Sequence, residues 1–108
     1  MKRLLFICSQ NRLRSPTAEK VFSQWQGIEA KSAGLDVDAI APVTPELLDW
    51  AHIVVVMEKC HKNKLGKKYR SSIKGKRVVV LDIPDEYDYM QPELVALLEV
   101  ALLRRVCL

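Results

Sequence analysis

The stretch "FICSQNRLRSP", Phe6 to Pro16, decides how this chain is read. A cysteine follows an apolar run, five residues pass, and Arg14-Ser15-Pro16 opens a segment of helical pattern. Upstream, Leu4 to Ile7 is continuously apolar, as strands covered on both faces are. Downstream, Ala18, Val21, Phe22 and Trp25 recur at i, i+3, i+4 and i+7, which is one face of a helix. Pro16 suits the first helical position and Ser15 the N-cap, while Gly27 ends the segment. The stretch is therefore a strand-to-helix connection, with its loop over residues 8 to 14.

The same alternation continues outward. Ile28 to Ala33 reads as a second strand closed by Gly34, and Leu35 to Val43 as a loop. Thr44-Pro45-Glu46 starts a short helix whose apolar side is Leu47, Leu48 and Trp50. Ile53 to Met57 reads as a third strand, Glu58 to Tyr69 as a lysine-rich helix, and Lys74-Gly75-Lys76 as a turn. Val78 to Leu81 reads as a fourth strand, "IPDEYDYMQP" as a loop, and Pro92 starts a final helix with Leu94, Leu97, Leu98, Ala101 and Leu102 as its core stripe. Solid apolar strands separated by helices predict a three-layer αβα domain over residues 1–108 with a four-stranded parallel sheet. Right-handed crossovers leave few strand orders, and the flavodoxin-like 2-1-3-4 is expected. Such folds take ligands beyond the carboxyl ends of the strands, between strands 1 and 3. The loop at 8–14 falls there.

Composition limits the partners. The net charge is +4, and much of the excess lies between Lys59 and Lys76. Without interleaved aromatics that run reads as a solvated surface, not a nucleic-acid site. Apolar runs are too short to span a bilayer, and no secretory signal pattern precedes Leu4, so a cytoplasmic protein is expected. Cys8, Cys60 and Cys107 are an odd set without metal-ligand spacing, which argues against a disulfide framework. His52 and His61 are too sparse for a metal site and are expected to pack or face solvent. No cofactor is implied.

The chemistry centres on Cys8 and Arg14. A loop of Ser9, Gln10, Asn11, Arg12 and Leu13 wound round one centre can aim successive N–H groups inward as an anion nest. The helix that follows adds its positive end. Arg14 can hold two phosphate oxygens with its planar fork. The field that binds a dianion also favours the thiolate form of a thiol at its centre, so Cys8 is the expected nucleophile. Ser15 can donate a hydrogen bond to that sulfur, and Asn11 tolerates left-handed backbone. A phosphate or sulfate ion is expected to fit the loop.

"CSQNRLRSP" resembles the signature loop of the low-molecular-weight protein tyrosine phosphatases, C-x5-R-S-P with Asn at the fourth place. "SAG" at Ser32 to Gly34, "WAHIVVVMEKCH" with its acidic residue after Met57, and "IPDEYDY" are similar, in order, to that family's second strand, third strand and acid loop. The resemblance implies the phosphotyrosine protein phosphatase I-like fold. It also implies a metal-free hydrolysis of phosphate monoesters, including protein phosphotyrosine, through a phosphocysteine intermediate. It makes Asp85 the general acid, which general acid logic also requires of some carboxylate here, with Asp82 structural and Asp88 at the surface. Tyr87 is placed to wall the pocket or to lie half-buried at the surface. Gln10 stands where the family has Gly, Glu86 where it has Pro, and the loop Leu35 to Val43 holds no aromatic. Gln10 and Glu86 favour the alternative, a non-catalytic phosphate- or phosphoprotein-binding module. An arsenate reductase would need two further cysteines close together, which Cys60 and Cys107 are not.

Overall fold

The computed structural model describes residues 1–106, so Cys107 lies outside the described residues. Its sheet has the order β2-β1-β3-β4. β1 (Lys2–Cys8) pairs in parallel with β2 (Ile28–Gly34) on one side and β3 (Ile53–Val56) on the other, and β4 (Arg77–Val80) extends β3. The helices are α1 (Arg14–Phe22), α2 (Pro45–Trp50), α3 (Lys59–Lys68), α4 (Arg70–Ile73) and α5 (Pro92–Arg105). The expected α/β architecture and strand order are observed.

Side chains alternate across the strands, so each face of the sheet builds its own core. Leu4, Phe6, Val55 and Met57 point to one face and pack with Ala18 and Phe22 of α1 and Leu94, Leu98 and Leu102 of α5. Leu5, Ile7, Val54 and Val56 point to the other face, against Leu48 of α2 and Leu65 of α3. Because β1 is central, its residues Leu4 to Ile7 are fully buried. That burial fixes the strand end at which Cys8 emerges.

Three local expectations are corrected. Ser15 is not the N-cap of α1; that place belongs to Leu13, which makes no side-chain cap bond, and Ser15 lies buried in the first turn. The helix also stops at Phe22, and Gly27 follows in a turn with φ +83°. The lysine-rich segment divides into two helices at Tyr69. Lys76 folds back so that its ammonium donates to the carbonyls of Leu48 and Ala51 at 2.8 and 2.7 Å, stopping α2. Among the described residues no helix is long and apolar enough to cross a membrane.

Candidate active site

The loop from Cys8 to Leu13 is shaped by the segment that follows β2. The carbonyls of Cys8, Ser9 and Gln10 accept hydrogen bonds from the N–H groups of Leu35, Asp36 and Ile40, at 3.0, 2.9 and 3.1 Å. With the carbonyls drawn to that side, the amides are left for another partner. Among the described residues the N–H groups of Ser9, Gln10, Arg12 and Leu13 make no hydrogen bond. Asn11 is the residue that turns the chain, with φ +57°, and its own N–H points at Cys8 Sγ from 3.2 Å. Gln10 does not take positive φ. A side chain there is therefore free of the strain that a required glycine would signal.

Cys8 Sγ lies 2.9 Å from Ser15 Oγ, which also accepts from Asn11 Nδ2 at 2.9 Å. Both Asn11 and Ser15 are buried behind the loop, and neither lines the pocket in front of it. That pocket, about 330 Å³, is lined by Cys8, Ser9, Gln10, Arg12, Leu13, Arg14, Asp36 and Asp85. Tyr87 is not among them; it is half-buried against the core beneath α5. Of the two places expected for Tyr87 the half-buried one is observed, and Asp36, which the sequence did not single out, lines the pocket with its carboxylate 3.4 Å from Gln10 Nε2.

Gly34 makes the close approach between the two loops workable. A Cβ on Gly34 would lie 2.6 Å from Ala39 Cβ and 2.7 Å from the Ser9 carbonyl oxygen. Gly34→Ala should therefore destabilise the fold by about 1–3 kcal/mol, the usual cost of overpacking. It should also weaken any phosphate binding at the loop, because the displaced backbone carries the unpaired amides. Urea unfolding and a phosphate titration check the two effects.

Arg14 is 3% exposed and locked from two sides. Its Nη1 donates to Glu58 Oε2 at 2.6 Å and to the Ile83 carbonyl at 2.7 Å. Ile83 is itself fixed, fully buried and donating its N–H to the Met57 carbonyl at 2.8 Å. Two residues further on, Asp85 reaches back so that Oδ1 lies 3.8 Å from Arg14 Nε, its side chain largely exposed. At the far end of this loop the Met90 N–H donates to Thr17 Oγ1 at 3.0 Å, tying it to α1. Asp82 takes φ +58° and pairs with Arg105, and both Asp82 and Asp88 are exposed.

Glu58 and His61 are the residues sequence reading missed. Glu58 is the N-cap of α3, in a reciprocal capping box with His61. The hydrogen bond from Arg14 holds the Glu58 carboxyl below the usual carboxylate range, against the opposing effect of its partial burial. His61 is 1% exposed, not a surface residue; its Nδ1 accepts from the Glu58 N–H at 3.1 Å and its Nε2 lies 3.0 Å from Ser9 Oγ. Burial pushes the imidazole below its ordinary value, with Arg14 acting in the same direction and Glu58 opposing. Glu58, Cys60 and His61 bring one oxygen, sulfur and nitrogen each within 4.8 Å of one another. Both His61 nitrogens and the Glu58 carboxylate are already engaged, so a metal would have to displace those bonds.

These shifts set the pH dependence of stability. Both groups titrate lower in the folded chain, so the unfolded chain binds more protons and stability falls as pH falls. The His61 contribution is complete above the ordinary histidine value of 6.5 and is lost as pH drops from there through the folded value. The Glu58 contribution is lost lower, below 4.5. Urea unfolding from pH 7.5 to 5 should show a decline that flattens in His61→Asn.

A doubly wound sheet with a cysteine-and-arginine loop at its switch point is the class that fold and site define. No protein-family model matches the chain, and no curated protein matches it. Solved structures do. The tyrosine phosphatase Wzb from Escherichia coli K30, in complex with phosphate, superposes with a TM-score of 0.77 at 22% identity, over 95% of this chain and 94% of that one. The low-molecular-weight protein tyrosine phosphatase SP-PTP from Streptococcus pyogenes gives 0.76 at 15% identity, over 99% and 95%. The YwlE arginine phosphatase from Geobacillus stearothermophilus gives 0.74 at 22% identity, over 94% and 91%. The chain has the fold of the low-molecular-weight protein tyrosine phosphatases.

Proposed function

We propose that this chain is a cysteine-dependent phosphatase that works through a phosphocysteine intermediate. The observation that carries the reading is the meeting of Cys8, Arg14 and Asp85 in one pocket beside a loop in which the amides of Ser9, Gln10, Arg12 and Leu13 are unpaired. In the first step the Cys8 thiolate attacks phosphorus, the ester P–O bond breaks, and Asp85 gives its proton to the departing oxygen. In the second, water attacks phosphorus, Asp85 takes a proton from it, and the S–P bond breaks to release phosphate. Arg14 and the loop amides hold the equatorial oxygens in both steps. The free thiols of Cys8 and Cys60 suit a reducing compartment such as the cytoplasm. Phosphorylated proteins or small phosphate esters are the substrates, and inorganic phosphate or sulfate is a competing ligand.

The test is turnover of p-nitrophenyl phosphate from about pH 5 to 8, a range that brackets the ordinary titration of phosphate monoesters. Asp85→Asn should lower kcat by about 10²- to 10⁴-fold, the range for loss of a general acid. An inert wild type whose melting temperature rises with phosphate would instead favour the binding-module alternative.

The pocket mouth favours one refinement of substrate. Its lining carries the carboxylates of Asp36 and Asp85 beside Arg12 and Arg14 and, among the described residues, no aromatic ring. A guanidinium leaving group, whose P–N bond would break in place of the ester P–O bond with the Asp85 proton passing to nitrogen, would meet the Asp36 carboxylate there, whereas a phenol would find no ring to stack on. Phosphoarginine peptides should therefore be turned over faster than phosphotyrosine peptides of matched sequence. A preference for phosphotyrosine would return the substrate to the tyrosine class.

A further inference from the structure

Ser9 and His61 are joined across 52 positions of sequence by a bond that an anion loop of backbone amides does not need. The direction of that bond follows from the other side of the ring. His61 Nδ1 faces the backbone N–H of Glu58, which can only donate, so Nδ1 carries no proton. A neutral imidazole has one N–H, and it must then be on Nε2. Nε2–H therefore donates to Ser9 Oγ, and the hydroxyl proton of Ser9 is turned away from the ring. Ser9 is half-buried and lines the pocket with Cys8 and Arg14.

We propose that His61 is a positioning residue that aims the Ser9 hydroxyl proton into the pocket, making Ser9 Oγ a side-chain donor to the bound phosphoryl group. It deepens the phosphatase reading, on which it rests for what becomes of that group. The charged groups facing the imidazole are Arg14 from α1, Asp36 from the loop after β2, and Glu58 and Lys64 from around α3. Arg14 and Lys64 oppose a second proton on the ring, while Glu58 and Asp36 favour one. A proton on Nδ1 would confront the Glu58 N–H, so the bridge exists only with the neutral ring.

The test is titration of the wild type and four variants with inorganic phosphate at pH 7.5. The variants are Ser9→Ala, His61→Asn, His61→Gln and the double variant Ser9→Ala/His61→Asn. Asparagine keeps an acceptor near the place of Nδ1 but stops short of Ser9, whereas glutamine can reach Ser9 with its amide. Ser9→Ala and His61→Asn should each weaken phosphate by about ten- to hundredfold, the worth of one hydrogen bond to a charged group. The double variant should bind no worse than the weaker single, and His61→Gln should keep most of the affinity. Wild-type affinity in Ser9→Ala, multiplying losses in the double variant, or a wild type that fails to bind phosphate would overturn the proposal. If His61→Asn does not fold, wild-type affinity in Ser9→Ala, or a His61→Gln that binds as weakly as Ser9→Ala, overturns the proposal. A wild type that binds phosphate but hydrolyses no ester defeats the phosphatase reading and leaves this binding cycle to stand on its own result.

Discussion

Cys8→Ser is expected to abolish turnover of p-nitrophenyl phosphate while leaving phosphate binding largely in place. The sulfur of the proposed nucleophile sits at the buried end of β1, with Ser15 Oγ and the Asn11 N–H as its hydrogen-bond partners. A serine hydroxyl would keep those contacts in kind. It lacks a nearby base to take its proton: the carboxylate of Asp85 is on the Arg14 side of the pocket, paired at 3.8 Å. An alcohol without an adjacent base is a weak nucleophile, so the chemical step should fall below detection. The proposed anion contacts are the loop amides, Arg14 and Ser9 Oγ, which the substitution does not touch. Calorimetry with phosphate beside the kinetic assay separates the two effects. Loss of both would mean that the serine disturbs the loop, and turnover that survives would remove Cys8 from the mechanism.

How much of this was legible in the sequence depends on the distance over which each interaction acts. β1 and β3 were readable because they are buried on both faces and so are solidly apolar, from Leu4 to Ile7 and Ile53 to Val56. The strand order followed from crossover handedness and not from any residue. Boundaries at the ends were less legible. Lys2 and Arg3 continue β1, although their side chains carry no apolar signal, because the paired backbone of β2 extends alongside. α4 escaped notice since four polar-rich residues, Arg70 to Ile73, carry no period.

The loop from Cys8 to Arg14 was readable because its residues are contiguous and their order encodes its curvature. Its supports were not. Glu58 meets Arg14 from 44 positions away and His61 meets Ser9 from 52. In sequence they are an acid and a histidine three apart, a pattern found on many solvated helices. The one available signal was the capping-box spacing at Glu58 and His61, which predicts a helix start but not what that start holds. Ser15 was misplaced for a related reason. Its hydroxyl is a good N-cap by type, but the loop turns it toward sulfur and leaves the cap to Leu13.

Arg14→Met is expected to lower kcat/KM by about 10³- to 10⁵-fold, the range reported for removing a guanidinium from a transferring phosphoryl group. Methionine fills much of the same space, so packing near the 3%-exposed side chain should survive. What is lost is the charge and the fork, and the Ile83 carbonyl loses its donor. Arg14→Lys separates charge from geometry. It keeps the cation but cannot serve Glu58, Ile83 and a phosphate together from one ammonium, so it should recover only a small part of the loss. Glu58→Gln makes the complementary change, keeping a hydrogen-bond acceptor for Arg14 Nη1 while removing its charge. If Glu58 acts by holding the guanidinium in place, this variant should raise KM more than it lowers kcat, since the cation that meets the transition state is still present. Near-equal losses in Arg14→Lys and Arg14→Met, with Glu58→Gln close to wild type, would mean that the fork matters and its support does not. If Arg14→Lys instead keeps most of the activity, the guanidinium contributes only positive charge, and bidentate grip of the phosphoryl oxygens is excluded.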